Sequence, residues 1–130
     1  MYVTDTHALI YFTSNKKSRL GRKARRIFEA ADSGASLIQV PTIVLWEVSL
    51  LLRQNYIFLP QRFDHWCRSI DSTRGFSILP LEWTDIDEAR ALPFADPYDC
   101  LISGASRRMT LPLITKDDVI ASSGLVDTIW

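Results

Sequence analysis

Cysteine is almost missing from this chain: Cys67 and Cys100 are the only two. They are too few for a disulfide framework and wrongly spaced for a zinc site, so a reducing cytoplasm is the expected compartment. An excess of one charge is also missing. Fifteen basic residues balance fifteen acidic ones, and a formal net charge of zero selects no class of partner. Long apolar runs are lacking too. The longest, around Ile43 to Leu52, carries Glu47 in its middle and is too short to span a bilayer. Met1 to Asp5 has neither the basic start nor the apolar run of a secretory signal. No repeat, low-complexity segment or linker is visible.

What is present is a core. Of 130 residues, 47% are hydrophobic and 11% aromatic, enough for a single domain over residues 1–130 without a structural metal or disulfide. The charges are unevenly placed. Lys16, Lys17, Arg19, Arg22, Lys23, Arg25 and Arg26 crowd one segment, and no acid lies between Thr6 and Phe28. Such a segment can hold an anion locally or form a solvated helix face.

Elements alternate along the chain. Tyr2 to Asp5 reads as a strand and Thr6 to Phe12 as a helix, followed by a loop at Lys16–Ser18. Ser18 or Gly21 opens a basic helix that runs to about Asp32 and stops at Ser33-Gly34. Ser36 to Val40 is a strand, and Pro41 starts a helix over Thr42 to Gln54. A helix from Pro60 to about Ser72 precedes a strand at Phe76 to Leu79. Thr84 caps a short helix to Leu92, and Asp96-Pro97 opens another that ends near Met109. Leu113 to Thr115 is a strand, Lys116 to Ser122 a helical turn, and Val126 to Ile129 a last strand. Strands alternating with helices predict an α/β fold with a mainly parallel central sheet. In such sheets ligands sit beyond the carboxyl ends of the strands, and Asp5 and Asp117 both follow predicted strands.

Glu47 is the acid that most needs explaining. Its neighbours Val44, Leu45, Trp46, Val48, Leu50, Leu51 and Leu52 predict a helix apolar nearly all round and mostly buried. A buried carboxylate there pairs with an arginine or binds a metal; the other reading sets Glu47 on a narrow exposed stripe of the helix. Asp5 is either an N-cap or a ligand. Asp117 is a cap, a turn residue or a ligand, and Asp118 beside it is an alternate. Asp96 before Pro97 has the pattern of an N-cap, which leaves Asp99, in the first turn behind it, the better metal-facing residue of the two. If four carboxylates converged to about 5 Å, each pair would repel by roughly 3 kcal/mol at an effective dielectric near 20. A cation would relieve this, and an all-oxygen set selects Mg²⁺ or Mn²⁺ over zinc.

The segments Thr4-Asp5-Thr6-His7-Ala8-Leu9, Leu45-Trp46-Glu47-Val48, Asp96-Pro97-Tyr98-Asp99-Cys100-Leu101-Ile102 and Leu113-Ile114-Thr115-Lys116-Asp117 together resemble the PIN-domain family, and more narrowly the VapC toxins of toxin–antitoxin pairs. The likeness covers the whole chain in order and spacing. It implies a three-layer α/β/α fold and metal-dependent cleavage of RNA. Asp5, Glu47, Asp99 and Asp117 match the family's four acidic positions, and Thr115 its hydroxyl residue near the last acid. It also implies a small VapB-like antitoxin partner and a homodimer. Phe94 and Ala95 depart from the pattern, since similar toxins often carry a histidine and a basic residue there.

In that reading Asp5, Glu47 and Asp99 fix the ion, Asp117 holds a second ion or orients the attacking water, and Thr115 positions that water or an acid beside it. His7 either touches the substrate or is structural. Tyr11, Phe12, Trp46 and Trp83 read as core rather than as base-stacking residues. Two other classes are open: a non-catalytic PIN-like module that only binds RNA or protein, and a receiver-like or phosphatase domain with an aspartate as phosphoryl acceptor. The second leaves Glu47 without a task.

Overall fold

A computed structural model describes all residues, 1–130. Five strands form one sheet: β1 (Tyr2–Thr4), β2 (Ile38–Pro41), β3 (Phe76–Leu79), β4 (Leu113–Ile114) and β5 (Thr128–Ile129). Their order is β3-β2-β1-β4-β5 and every neighbouring pair is parallel. Parallel neighbours need crossovers, and helices supply them. These are α1 (Thr6–Thr13), α2 (Arg22–Asp32), α3 (Thr42–Arg53), α4 (Phe63–Ser72), α5 (Trp83–Arg90), α6 (Pro97–Met109) and α7 (Asp118–Ser123). The result is the expected three-layer α/β/α arrangement, with a sheet that is wholly parallel. No helix is long and apolar enough to cross a membrane.

The strands are buried on both faces, which is why they read as apolar, β-branched runs. Val3, Ile38, Val40, Leu113 and Ile114 are fully inaccessible. Phe12, Phe28 and Phe76 stack between α1, α2 and β3, with the first pair of ring centres 4.9 Å apart. Trp66 of α4 is fully buried, and its indole N–H donates to the Thr13 hydroxyl at 3.0 Å, so the core holds no orphaned indole.

Boundaries move where tertiary contact overrides local pattern. Lys17–Arg19 is a short 3₁₀ turn rather than loop, and Gly21 precedes α2. Strand β2 begins at Ile38 and takes in Pro41, while β5 is confined to Thr128–Ile129. Helix α4 starts at Phe63, not Pro60. Helix α5 is capped by Glu82 rather than Thr84. Glu82 and Asp85 form a reciprocal capping box, so the Glu82 backbone N–H donates to Asp85 at 2.8 Å. Helix α3 is the largest surprise. Only Val44 and Val48 are fully buried, and Trp46 is 52% exposed. Its apolar perimeter is in part a surface, not a core.

Gly75 marks one of the tightest approaches in the fold. A Cβ there would stand 1.9 Å from the Ala31 carbonyl oxygen of α2, a backbone atom that cannot swing away. Gly75→Ala is therefore expected to destabilise the chain by about 1–3 kcal/mol through overpacking. Urea unfolding checks this as a lower midpoint with an unchanged slope.

Candidate active site

Strand order places the site. Sheet order reverses between β1 and β4, where connections leave in opposite directions and a crevice opens beyond the strand ends. Asp5 follows β1, and its backbone N–H donates to the Ile114 carbonyl at 3.1 Å. Thr115, Lys116 and Asp117 follow β4. The crevice holds a cavity of about 460 Å³, walled by Asp5, Glu47, Asp96, Asp99, Asp117 and Asp118 together with Thr6, His7, Tyr11, Ile102 and Lys116.

Each wall residue has a local reason to be there. Asp5 Oδ1 accepts the Ala8 N–H at 2.8 Å and caps α1. Asp96 Oδ1 accepts the Tyr98 N–H at 2.8 Å and caps α6. Asp117 Oδ1 accepts the Ile120 N–H at 2.9 Å and caps α7, while the Asp117 N–H donates to the Thr115 hydroxyl at 3.1 Å. Cap and ligand are thus not alternatives for these acids. A carboxylate has two oxygens, and each cap occupies one. Asp99 sits in the first turn of α6, where the helix dipole favours an anion. Glu47 reaches the cavity from α3 and accepts a short hydrogen bond from the Thr6 hydroxyl.

The electrostatics are those of crowded like charges. Burial raises the Asp5 carboxyl above its ordinary range, against the Thr115 hydroxyl, the Ala8 N–H and His7, with Asp117 adding to the rise. Burial also raises Glu47, opposed by the Thr6 hydroxyl and reinforced by Asp96 and Asp5. Asp99 is pushed up to about 7, first by burial and then by Asp96, Asp117, Glu47 and Asp5. A field that holds carboxyls toward their neutral form is one that a cation would relieve. The donors are all oxygens, which suits Mg²⁺ or Mn²⁺. No three acids or histidines stand as a finished cage around one point. Mg²⁺ does not require one, because it keeps several waters and takes one or two direct carboxylates.

Of the residues singled out from sequence, Asp5, Glu47, Asp99 and Asp117 come together here, and so do the alternates Asp96 and Asp118. Asp96 is a cap as expected and also the strongest of the charges acting on Asp99. Asp117 rather than Asp118 acts on Asp5 and Asp99. Thr115 is 2% exposed and sits behind the wall, against Asp5 and Asp117. His7 is exposed on the cavity wall. Tyr11 and Phe12 are core residues, but Trp46 and Trp83, read as core, are 52% and 76% exposed. Phe94 is buried and Ala95 exposed, so that position brings no cation to the cavity. Sequence reasoning missed Lys116 and the cavity-facing side of Tyr11. The only signal was that Lys116 stands between two candidate site residues.

A second carboxylate group proves to be structural. Asp85, which reads in sequence as one of an acidic trio with Asp87 and Glu88, is 1% exposed and accepts a short hydrogen bond from Arg108 Nε. It locks α5 to α6.

Among characterised proteins compared by sequence, none matches this chain. Solved structures do match its fold. A chain of a toxin–antitoxin complex from Klebsiella pneumoniae aligns with a TM-score of 0.67 at 19% identity, covering 100% of this chain and 97% of that one. A chain of VapBC2 from Rickettsia felis, crystallised with a DNA fragment from its promoter, aligns with a TM-score of 0.71 at 14% identity, covering 99% and 98%. The PIN domain model matches residues 2–123, nearly the whole chain with every acid of the cavity, and the protein belongs to the PIN domain family.

Proposed function

We propose that this chain is a Mg²⁺- or Mn²⁺-dependent endoribonuclease and the toxin of a toxin–antitoxin pair. One observation carries the reading: six carboxylates from four separate stretches of chain line a single cavity at the reversal point of a parallel sheet. A purely structural or binding role gains nothing from such mutual repulsion. Asp5, Glu47, Asp99 and Asp117 would hold the ion, directly or through its waters. When bound, a divalent ion stabilises charge developing on phosphorus and lowers the pKa of a coordinated water. The chain itself contributes positioning. Asp5 and Asp117 are fixed by their caps, Glu47 is aimed by Thr6, and Thr115 braces Asp5 and Asp117 from behind.

The similar folds are in toxin–antitoxin assemblies, which supports a small antitoxin as partner. The exposed side chains of Trp46, Tyr56, Phe58 and Trp83 offer apolar surface for such a partner. A homodimer would cover part of the same surface. Action in the cytoplasm agrees with the two free thiols, Cys67 and Cys100.

Asp5→Asn is the direct test. Asparagine caps a helix about as well as aspartate, so the fold is expected to survive. Metal-dependent cleavage of RNA is expected to fall by about a hundredfold or more, since metal charge stabilisation is worth several kcal/mol. Expression of the active chain should arrest growth and the variant should not. Equal cleavage by both proteins would defeat the assignment.

A further inference from the structure

Six acids and one lysine share the cavity wall. An ammonium so placed would be expected to fold onto a carboxylate, yet Lys116 makes no ion pair with any acid within 4.0 Å. It is tied instead to a neutral group: its Nζ donates to the Tyr11 hydroxyl at 2.9 Å and stands 5.1 Å from the centre of the same ring. Tyr11 is well suited to hold it still. It is 6% exposed, packed edge-on against Trp130 at 6.5 Å, and held in the last turn of α1. A hydroxyl acceptor orients the ammonium without neutralising it. Tyr11 also carries a second cation, the Arg19 guanidinium at 5.8 Å from its ring centre. Two cations therefore flank the Tyr11 ring, Lys116 on the cavity wall and Arg19 in the 3₁₀ turn, while the wall itself is acidic.

We propose that Lys116, positioned by Tyr11, binds a backbone phosphate of the RNA beside the scissile one, and that Arg19 continues this track away from the cavity. The inference rests on the nuclease reading above and adds to it the direction from which the strand arrives. The physical need is plain. A polyanion approaching six carboxylates is repelled, and a landing cation adjacent to the site offsets this where no basic residue occupies positions 94 and 95. A phosphate contact of this kind positions the strand and carries no sequence preference. Tyr11 is a positioning residue in this scheme, because it acts through Lys116.

The experiment follows cleavage of a short fluorescein-labelled single-stranded RNA of mixed sequence with Mn²⁺, over a series of KCl concentrations. Lys116→Met is expected to raise KM about tenfold, the loss of one charge-assisted contact, with kcat changed much less. The slope of log(kcat/KM) against log[KCl] should become shallower by about 0.7, one phosphate contact on a single strand. Lys116→Arg should restore most of both. Tyr11→Phe should show a smaller change in the same direction, and Tyr11→Phe with Lys116→Met together no more than Lys116→Met alone. A merely structural lysine would leave the salt slope where it was. Unchanged KM and slope in Lys116→Met, or a loss confined to kcat, would overturn the proposal while leaving the nuclease reading intact. If the wild type does not cleave, fluorescence anisotropy with the same RNA decides: weaker, less salt-sensitive binding by Lys116→Met supports the lysine's role, and equal binding overturns it.

Discussion

Asparagine in place of Asp99 is expected to make the metal-free protein more stable near pH 8 while removing metal-dependent cleavage. The Asp99 carboxyl is pushed up to about 7, by burial first and by Asp96, Asp117, Glu47 and Asp5 after it. Its ordinary value is 3.8. Between those two values the folded chain holds a proton that the unfolded chain has released. Stability from this group therefore declines as pH rises from about 4 to about 7, and is flat beyond. A shift of that size in a fully buried group would correspond to several kcal/mol, but Asp99 is only partly buried, and water screens it. About 1–2 kcal/mol remains after that discount, less the small favourable dipole interaction that the anion enjoys in the first turn of α6. Thermal unfolding in chelator should show Asp99→Asn above wild type near pH 8 and level with it near pH 4. Adding Mn²⁺ should then raise wild type much more than the variant, because an ion that binds only the folded state stabilises it by mass action. A variant no more stable than wild type in chelator at the higher pH would mean that the carboxylates are not held in mutual repulsion.

Arg108→Ala is expected to destabilise the packing of α5 on α6 strongly. Asp85 is 1% exposed and Arg108 19%, so the pair is nearly dry on one side. Glu82 adds a longer contact to Arg108 at 3.7 Å. Truncating the arginine leaves Asp85 buried with only the Glu82 N–H, a loss of about 3–5 kcal/mol. That is a large share of a typical domain stability of about 5–15 kcal/mol. The damage should extend to the acidic cavity, because α6 carries Asp99 and is capped by Asp96. Gly104 of α6 makes the packing unforgiving: a Cβ there would lie 2.5 Å from the Asp85 carbonyl oxygen. Removing both charges, as Asp85→Asn with Arg108→Met, should cost much less than Arg108→Ala alone, since no lone buried charge remains. Urea unfolding of the two proteins checks this, and equal midpoints would show that the charge pair is not what holds α5 to α6. By contrast the neighbouring Asp87–Arg90 pair, exposed and 3.5 Å apart, should contribute at most about 1 kcal/mol.

Local chemistry was readable along the chain. Aspartate before a helix, Asp96-Pro97 at a helix start, β-branched runs between helices and Gly21 before a basic helix all act through neighbours a few residues away. Alternating strands and helices then led to a parallel sheet, and the positions of Asp5 and Asp117 after strands led to one edge of it. Glu47 shows the limit of that reasoning. It lies at the cavity, but its helix is not the buried element its neighbours suggested, since Trp46 faces solvent. Hydrophobic residues in sequence announce burial against something, and sequence does not say whether that is this chain's core or a partner.

Contacts across the chain decided the rest. Lys116 meets Tyr11, 105 residues away, only because β1 and β4 are neighbours in register Val3 to Leu113 and Thr4 to Ile114. Asp85 left the acidic trio for the interior because Arg108, 23 residues on, came with it. Asp96 and Asp99 were separated in sequence into a cap and a ligand, and the fold made both part of one field. The physical reason is common to all three. Caps and periodicity are fixed by backbone groups within a turn or two, whereas the energy of a charge depends on every charge and every shell of water within several ångströms. Only the folded chain determines which those are.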